Sequence, residues 1–136
     1  MVVIDASVAY KWFEEKEIEF YKAGLLLERH VLKRETLLAP DLIVYELSNA
    51  WGTKTKITKG EAVENLSAFE EANISLAGFN YDLLSKAITF SKKYKVSVYD
   101  AVYVVLAREK KCNLVTADNK FADQVGLPFV KKLSSF

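Results

Sequence analysis

Two hydrophobic rhythms alternate along the chain. Short apolar runs stand at residues 1–4 (Met-Val-Val-Ile), 36–39 (Thr-Leu-Leu-Ala), 74–77 (Ile-Ser-Leu-Ala), 113–116 (Asn-Leu-Val-Thr) and 129–130 (Phe-Val). Continuous runs of this length mark strands covered on both faces. Between them, apolar residues recur at helical spacing. A short helix is expected over 8–13 with Ser7 as its cap, and a longer one over 17–34. In the longer helix Ile18, Tyr21, Leu25 and Leu32 share one side, with Phe20, Leu27 and Val31 alongside. Pro40 and Asp41 open a third helix over 41–54, with Ile43, Leu47, Ala50 and Trp51 as its core stripe. Further helices are expected over 61–72 (Val63, Leu66 and Phe69 inward), 81–94 (Leu84, Ala87, Ile88, Ser91), 99–111 and 121–125. Strands alternating with helices call for a parallel sheet with helices on both faces, because parallel neighbours need crossover connections.

Against this pattern, four acids stand out beside apolar runs. Asp5 and Asp118 directly follow, or all but follow, predicted strands. Asp100 opens the almost wholly apolar stretch 98–107, and Lys110 and Lys111 close it, as the helix dipole prefers. Glu46 lies at the rim of the third helix's apolar stripe, with Asn49 its neighbour at i+3. Taken singly, Asp100 is an ordinary acid of a helix first turn, and Glu46 is a flank residue. In an open parallel sheet, however, sites form beyond the carboxyl ends of the strands, and all four acids can meet at that edge. Converging carboxylates repel, so they either take up protons or share a cation. Oxygen donors without histidine or thiolate select a hard ion such as Mg²⁺ or Mn²⁺. The single histidine, His30, sits in a helix away from these strand ends, so a zinc site lacks ligands. Ions held by carboxylates are a common apparatus for phosphodiester cleavage.

Composition narrows the setting. The 136 residues are 51% hydrophobic, which suits one domain over 1–136 with a proper core. Net charge is +1, so any nucleic-acid contact must use a local patch. Lys11, Lys54 and Lys56 stand near the acids and are candidate substrate contacts; Lys92, Lys93 and Lys95 form a denser run that steers RNA or simply ends a helix. Cys112 is the only cysteine, which excludes an internal disulfide and fits a reducing, cytoplasmic setting. No signal peptide or membrane span is read. Two sequons, at Asn65 and Asn73, are treated as chance matches.

Val3-Ile4-Asp5-Ala6-Ser7-Val8, Glu46 with Asn49, Tyr99-Asp100-Ala101, and Thr116-Ala117-Asp118 followed by Phe121 occur in that order. On these residues the chain resembles the PIN-domain nucleases, in particular the VapC-type toxins of toxin–antitoxin pairs. The resemblance covers essentially the whole chain. It implies a three-layer α/β/α fold around a five-stranded parallel sheet, and a Mg²⁺- or Mn²⁺-dependent endoribonuclease. Asp5, Glu46, Asp100 and Asp118 match the acidic metal-binding quartet, with Ser7, Asn49 and Thr116 at its supporting polar positions. It further implies an RNA substrate, a homodimer, and a small antitoxin that reaches into the acidic pocket.

Competing readings fail on particular residues. Ser7 has no histidine to act as its base. A receiver domain needs an Asp at the end of the third strand, where Ala77-Gly78-Phe79 stands, and a haloacid-dehalogenase-type phosphatase needs an Asp where Ser7 is. Glycine-rich nucleotide loops are absent. Asp123, a further acid near Asp118, reads as a solvated helix residue. The alternative from another class is a non-catalytic RNA- or partner-binding module that keeps the fold. Tyr10, Trp12, Phe13 and Trp51 are candidates for a surface facing a partner chain.

Overall fold

The computed structural model describes all residues, Met1–Phe136. Five strands form one sheet in the order β3-β2-β1-β4-β5, with every neighbouring pair parallel. They are β1 (Val2–Ile4), β2 (Leu37–Pro40), β3 (Ser75–Ala77), β4 (Asn113–Thr116) and β5 (Val130–Lys132). The helices are α1 (Ala6–Lys11), α2 (Phe20–Val31), α3 (Leu42–Asn49), α4 (Lys59–Glu71), α5 (Tyr81–Tyr94), α6 (Val98–Glu109) and α7 (Asn119–Val125). The expected α/β/α architecture is therefore present, with boundaries moved by a few residues. Every residue of β1 and β2 is buried, so side chains pointing either way from these strands are covered. On one side α6 lies across β1, β2 and β4, with α5 packed along it. A second group, α1, α2 and α3, packs on β2 and β4.

α6 supplies the largest share of the core: Ala101 through Ala107 are all buried. Two helices, α2 and α4, depart from expectation. In α2 the buried residues are Ala23 and Leu26, while Tyr21, Leu25 and Val31 are exposed, as are Ile18 before the helix and Leu32 at its end. Small Ala23 lets the helix backbone come close, and the Trp12 indole N–H donates to the Ala23 carbonyl at 2.8 Å. In α4 only Phe69 is buried; Val63 and Leu66 face outward. Of the aromatics expected near a partner surface, Trp51 is buried, while Tyr10, Trp12 and Phe13 are half-buried and pack against the core. Trp12 stacks on Phe69 at 6.3 Å and Phe13 meets Trp51 edge-on at 5.0 Å, so these rings join α1 to the α3–α4 region.

The third helix does not run to residue 54 as one α-helix. α3 ends at Asn49 and continues as a π-helical turn, Ala50–Lys54. Threonine hydroxyls take up carbonyls there: Thr53 donates to Asn49 O at 2.6 Å and Thr55 to Trp51 O at 3.0 Å. His30 is a structural staple. Its Nδ1 accepts from the Leu37 N–H at 3.1 Å, and its Nε2 lies 3.1 Å from the carbonyls of Ala72 and Asn73.

Candidate active site at the carboxyl edge of the sheet

β1 ends directly at Asp5, whose carboxylate caps α1 by accepting from the Val8 N–H at 3.3 Å. The cap is thus Asp5 and not Ser7. The chain turns immediately after the strand, which places Ser7 in the first turn of the helix. From there the Ser7 hydroxyl donates to Asp5 Oδ1 at 2.5 Å and accepts from the Ala117 N–H at 2.9 Å. It also lies 3.4 Å from Thr116 Oγ1. Thr116 Oγ1 in turn accepts from the Asp118 N–H at 3.1 Å, and Asp118 Oδ1 caps α7 by accepting from the Phe121 N–H at 3.0 Å. One continuous network therefore joins the ends of the adjacent strands β1 and β4. Two of its acids double as helix caps, which fixes their side chains without any contribution from substrate.

The other two acids come from helices. Asp100 sits in the first turn of α6, where its N–H donates to the capping Ser97 hydroxyl at 3.0 Å. Glu46 projects from α3, and the phenol of Tyr103 in α6 donates to its Oε1 at 2.6 Å.

These carboxylates act on one another. Burial pushes Asp5 from 3.8 up to about 6; hydrogen bonds from Ser7, Thr116 and Val8 oppose this, and the charge of Asp100 adds to it. Burial likewise raises Glu46, against the Tyr103 hydrogen bond and the Lys54 charge and with the Asp100 charge. Asp100 is raised by burial and by Asp118, and lowered by its bond with Ser97. Asp100 is thus the hub: it feels or perturbs each of the other three. Burial and the Glu46 charge hold the Tyr103 phenol far above its ordinary range, so it remains a neutral donor.

A cleft of about 440 Å³ opens here, lined among others by Ser7, Lys11, Glu46, Asn49, Lys54 and Asp118. Tyr10 and Glu17 also line it; of the residues expected at the site, Asp5, Asp100, Thr116 and Lys56 do not. Asp123 is elsewhere engaged, in an ion pair with Lys132 at 2.6 Å. No three acids stand at the spacing of a finished coordination shell. Mutual repulsion favours that spread, and a cation among the acids would favour the ionised form of each. The donor set is oxygen only and fits a hard divalent ion.

Sequence reasoning missed Tyr103, Tyr10 and Glu17. Tyr103 did carry a signal, being the one polar-tipped side chain in the buried run of α6, and a buried phenol needs a partner.

The sequence profile described as PIN domain matches residues 2–126. The chain belongs to the PIN domain family. Among curated relatives of this PIN protein is ribonuclease VapC3 of Pyrobaculum aerophilum, 30% identical over 128 residues, which covers 90% of this chain and 93% of the relative. Solved PIN-like structures share the fold at lower identity. PAE2754 from Pyrobaculum aerophilum superposes with a TM-score of 0.74 at 18% identity, over 98% of this chain and 84% of that one. Mycobacterium tuberculosis VapC20, described as a toxin cleaving the sarcin-ricin loop, gives 0.72 at 12% identity, over 96% and 98%. A toxin–antitoxin complex from Klebsiella pneumoniae gives 0.70 at 13%, over 98% of each chain.

Proposed function

We propose that this PIN protein, acting as one unit over residues 1–136, is a Mg²⁺- or Mn²⁺-dependent endoribonuclease and the toxin of a toxin–antitoxin pair. The observation that carries the reading is the mutual influence of the charges of Asp5, Glu46, Asp100 and Asp118, beside a cleft that Glu46 and Asp118 line. A ribonuclease relative at 30% identity supports RNA as the substrate.

The four acids would hold the ion, directly or through water. When bound, such an ion acidifies a water and offsets charge on the phosphate. The chain's own groups do the rest. Ser7 and Thr116 keep Asp5 and Asp118 in register across the two strands. Asn49, one turn beyond Glu46, offers an amide to the substrate backbone. Lys11 and Lys54, from opposite elements of the cleft, bind phosphates flanking the scissile bond, and exposed Lys56 contacts the strand farther out. The partners we assign are a small antitoxin, by likeness to the toxin–antitoxin complex above, and a second copy of the chain in a cytoplasmic homodimer. No helix is long and apolar enough to cross a membrane.

The test is cleavage of a panel of single-stranded and hairpin RNAs with Mg²⁺, with Mn²⁺, with chelator, and by Asp100→Asn in parallel. Cuts that need metal and disappear in a folded Asp100→Asn support the nuclease. Equal cleavage by that variant overturns it.

A second reading, a non-catalytic binding module, draws on the acids not being gathered into a coordination shell. It predicts no Mn²⁺ binding in titration and RNA binding that chelator leaves unchanged.

A further inference from the structure

Tyr103 is 2% exposed and belongs to a helix face that is otherwise apolar. A phenylalanine would fill the same space and bring no hydroxyl that needs a partner. Burying an unpaired hydroxyl is costly, so the position of this one calls for an explanation. Its partner is Glu46 Oε1, at 2.6 Å. Glu46 is only half-buried and carries a long side chain with many rotamers, so it is the least constrained of the four acids unless something holds it. Asp5 and Asp118 are fixed as helix caps, and Asp100 sits on a capped first turn. Glu46 stands in mid-helix, with no cap to fix it. Tyr103 also stands one turn after Asp100 on α6. The same helix therefore carries Asp100 and grips Glu46 from α3.

We propose that Tyr103 is a positioning residue, whose phenol pins Glu46 Oε1, sets the separation of Glu46 from Asp100, and leaves Oε2 free to ligate the cation. This rests on the metal-site reading above. Groups that orient a ligating side chain typically contribute 10- to 100-fold in metal affinity.

The test is the Mn²⁺ affinity, read from the electron paramagnetic resonance of free Mn²⁺, of the full chain as wild type, Tyr103→Phe, Glu46→Gln and the double variant. Circular dichroism melts serve as the fold control. Tyr103→Phe is expected to stay folded and to bind Mn²⁺ about 10- to 100-fold more weakly. In the cleavage assay the Mn²⁺ requirement rises in parallel, while the rate at saturating Mn²⁺ stays within a few-fold. In the Glu46→Gln background the same change adds nothing. Unchanged affinity in folded Tyr103→Phe overturns the inference and leaves the metal site standing. An equal loss in both backgrounds overturns it too, because the phenol would then act on the fold and not on Glu46. A wild type that binds no Mn²⁺ overturns the metal-site reading itself. Should Tyr103→Phe not fold, wild type labelled with ¹³Cζ-tyrosine decides. The signal most shifted by Glu46→Gln is expected to move on Mg²⁺ addition, and if it stays in place the inference fails.

Discussion

Asp5 is a carboxylate held where burial opposes its charge, and that opposition is measurable. With its folded pKa near 6 against 3.8, the native state binds more protons than the unfolded state between those values. Stability therefore falls as pH rises through that window, and about two pH units correspond to roughly 3 kcal/mol lost by neutral pH. Asp5→Asn keeps an oxygen for Ser7 and Val8 but carries no charge. It is expected to raise stability by about 2–3 kcal/mol at pH 7.5 and by little at pH 4, while abolishing cleavage. Urea denaturation at the two pH values checks this; an equal effect at both would show that the Asp5 charge is not what destabilises the fold. Ser7→Ala works in the opposite direction. It removes the shortest donor to Asp5 and leaves the Ala117 N–H without its acceptor. The expected cost is about 1–3 kcal/mol, larger at pH 7.5 than at pH 4, because the lost bond favoured the ionised carboxylate. In the sequence Ser7 was legible as a candidate helix cap and, by the family resemblance, as a supporting polar position. Its actual role was not, because the partners that define it arrive from β4, more than a hundred residues later.

Elements differ in how far pattern alone locates them. The run through α6 is apolar on every side, and a helix of that kind has no choice but the interior. α2 and α4 carry apolar residues on more than one face, so periodicity offers two orientations and does not choose. The sheet chooses by fit: Ala23 and Leu26 go inward on α2, and Phe69 on α4 finds Trp12. Exposed apolar side chains such as Leu66 then contribute little to folding. Leu106→Ala, at 2% exposure on α6, is expected to cost about 3–4 kcal/mol, and Leu66→Ala, at 38% exposure on α4, less than about 1 kcal/mol. Denaturant midpoints of the two variants check the contrast, and comparable losses would mean that α4 buries more than its surface indicates. The end of α3 hid a second ambiguity. Residues 50–54 satisfy a helical pattern, yet the helix widens there into a π turn and its freed carbonyls are met by Thr53 and Thr55. A difference of one residue in hydrogen-bond span leaves no mark in apolar spacing. The turn ends at Lys54, which lines the cleft.

At the scale of the whole molecule, parallel topology explains why the acids could be found from sequence at all. When every strand runs the same way, all the carboxyl ends share one edge, so a residue just past a strand is placed by connectivity alone. The contact between Glu46 and Tyr103 had no such shortcut, because it depends on how α3 and α6 approach each other in space. The same distinction applies to charge. A net charge of +1 gives the molecule little long-range attraction for RNA, so under the proposed function electrostatic recognition would rest on cations already inside the cleft. Lys11 and Lys54 are there and Lys56 is not. Each neutralised phosphate of a single strand contributes a salt slope of about 0.7, so two lysines give about 1.4, or roughly a sevenfold weakening between 50 and 200 mM salt. Lys54→Ala is expected to halve the slope, Lys11→Ala to do the same, and Lys56→Ala to leave it within error, all at unchanged folding stability. Fluorescence anisotropy of a labelled single-stranded RNA on the inactive Asp100→Asn background measures this without cleavage. A slope several times steeper in the parent protein would mean that RNA is held over a wide basic surface and not by the cleft. A slope insensitive to both cleft lysines would separate the place where RNA binds from the place where the acids converge.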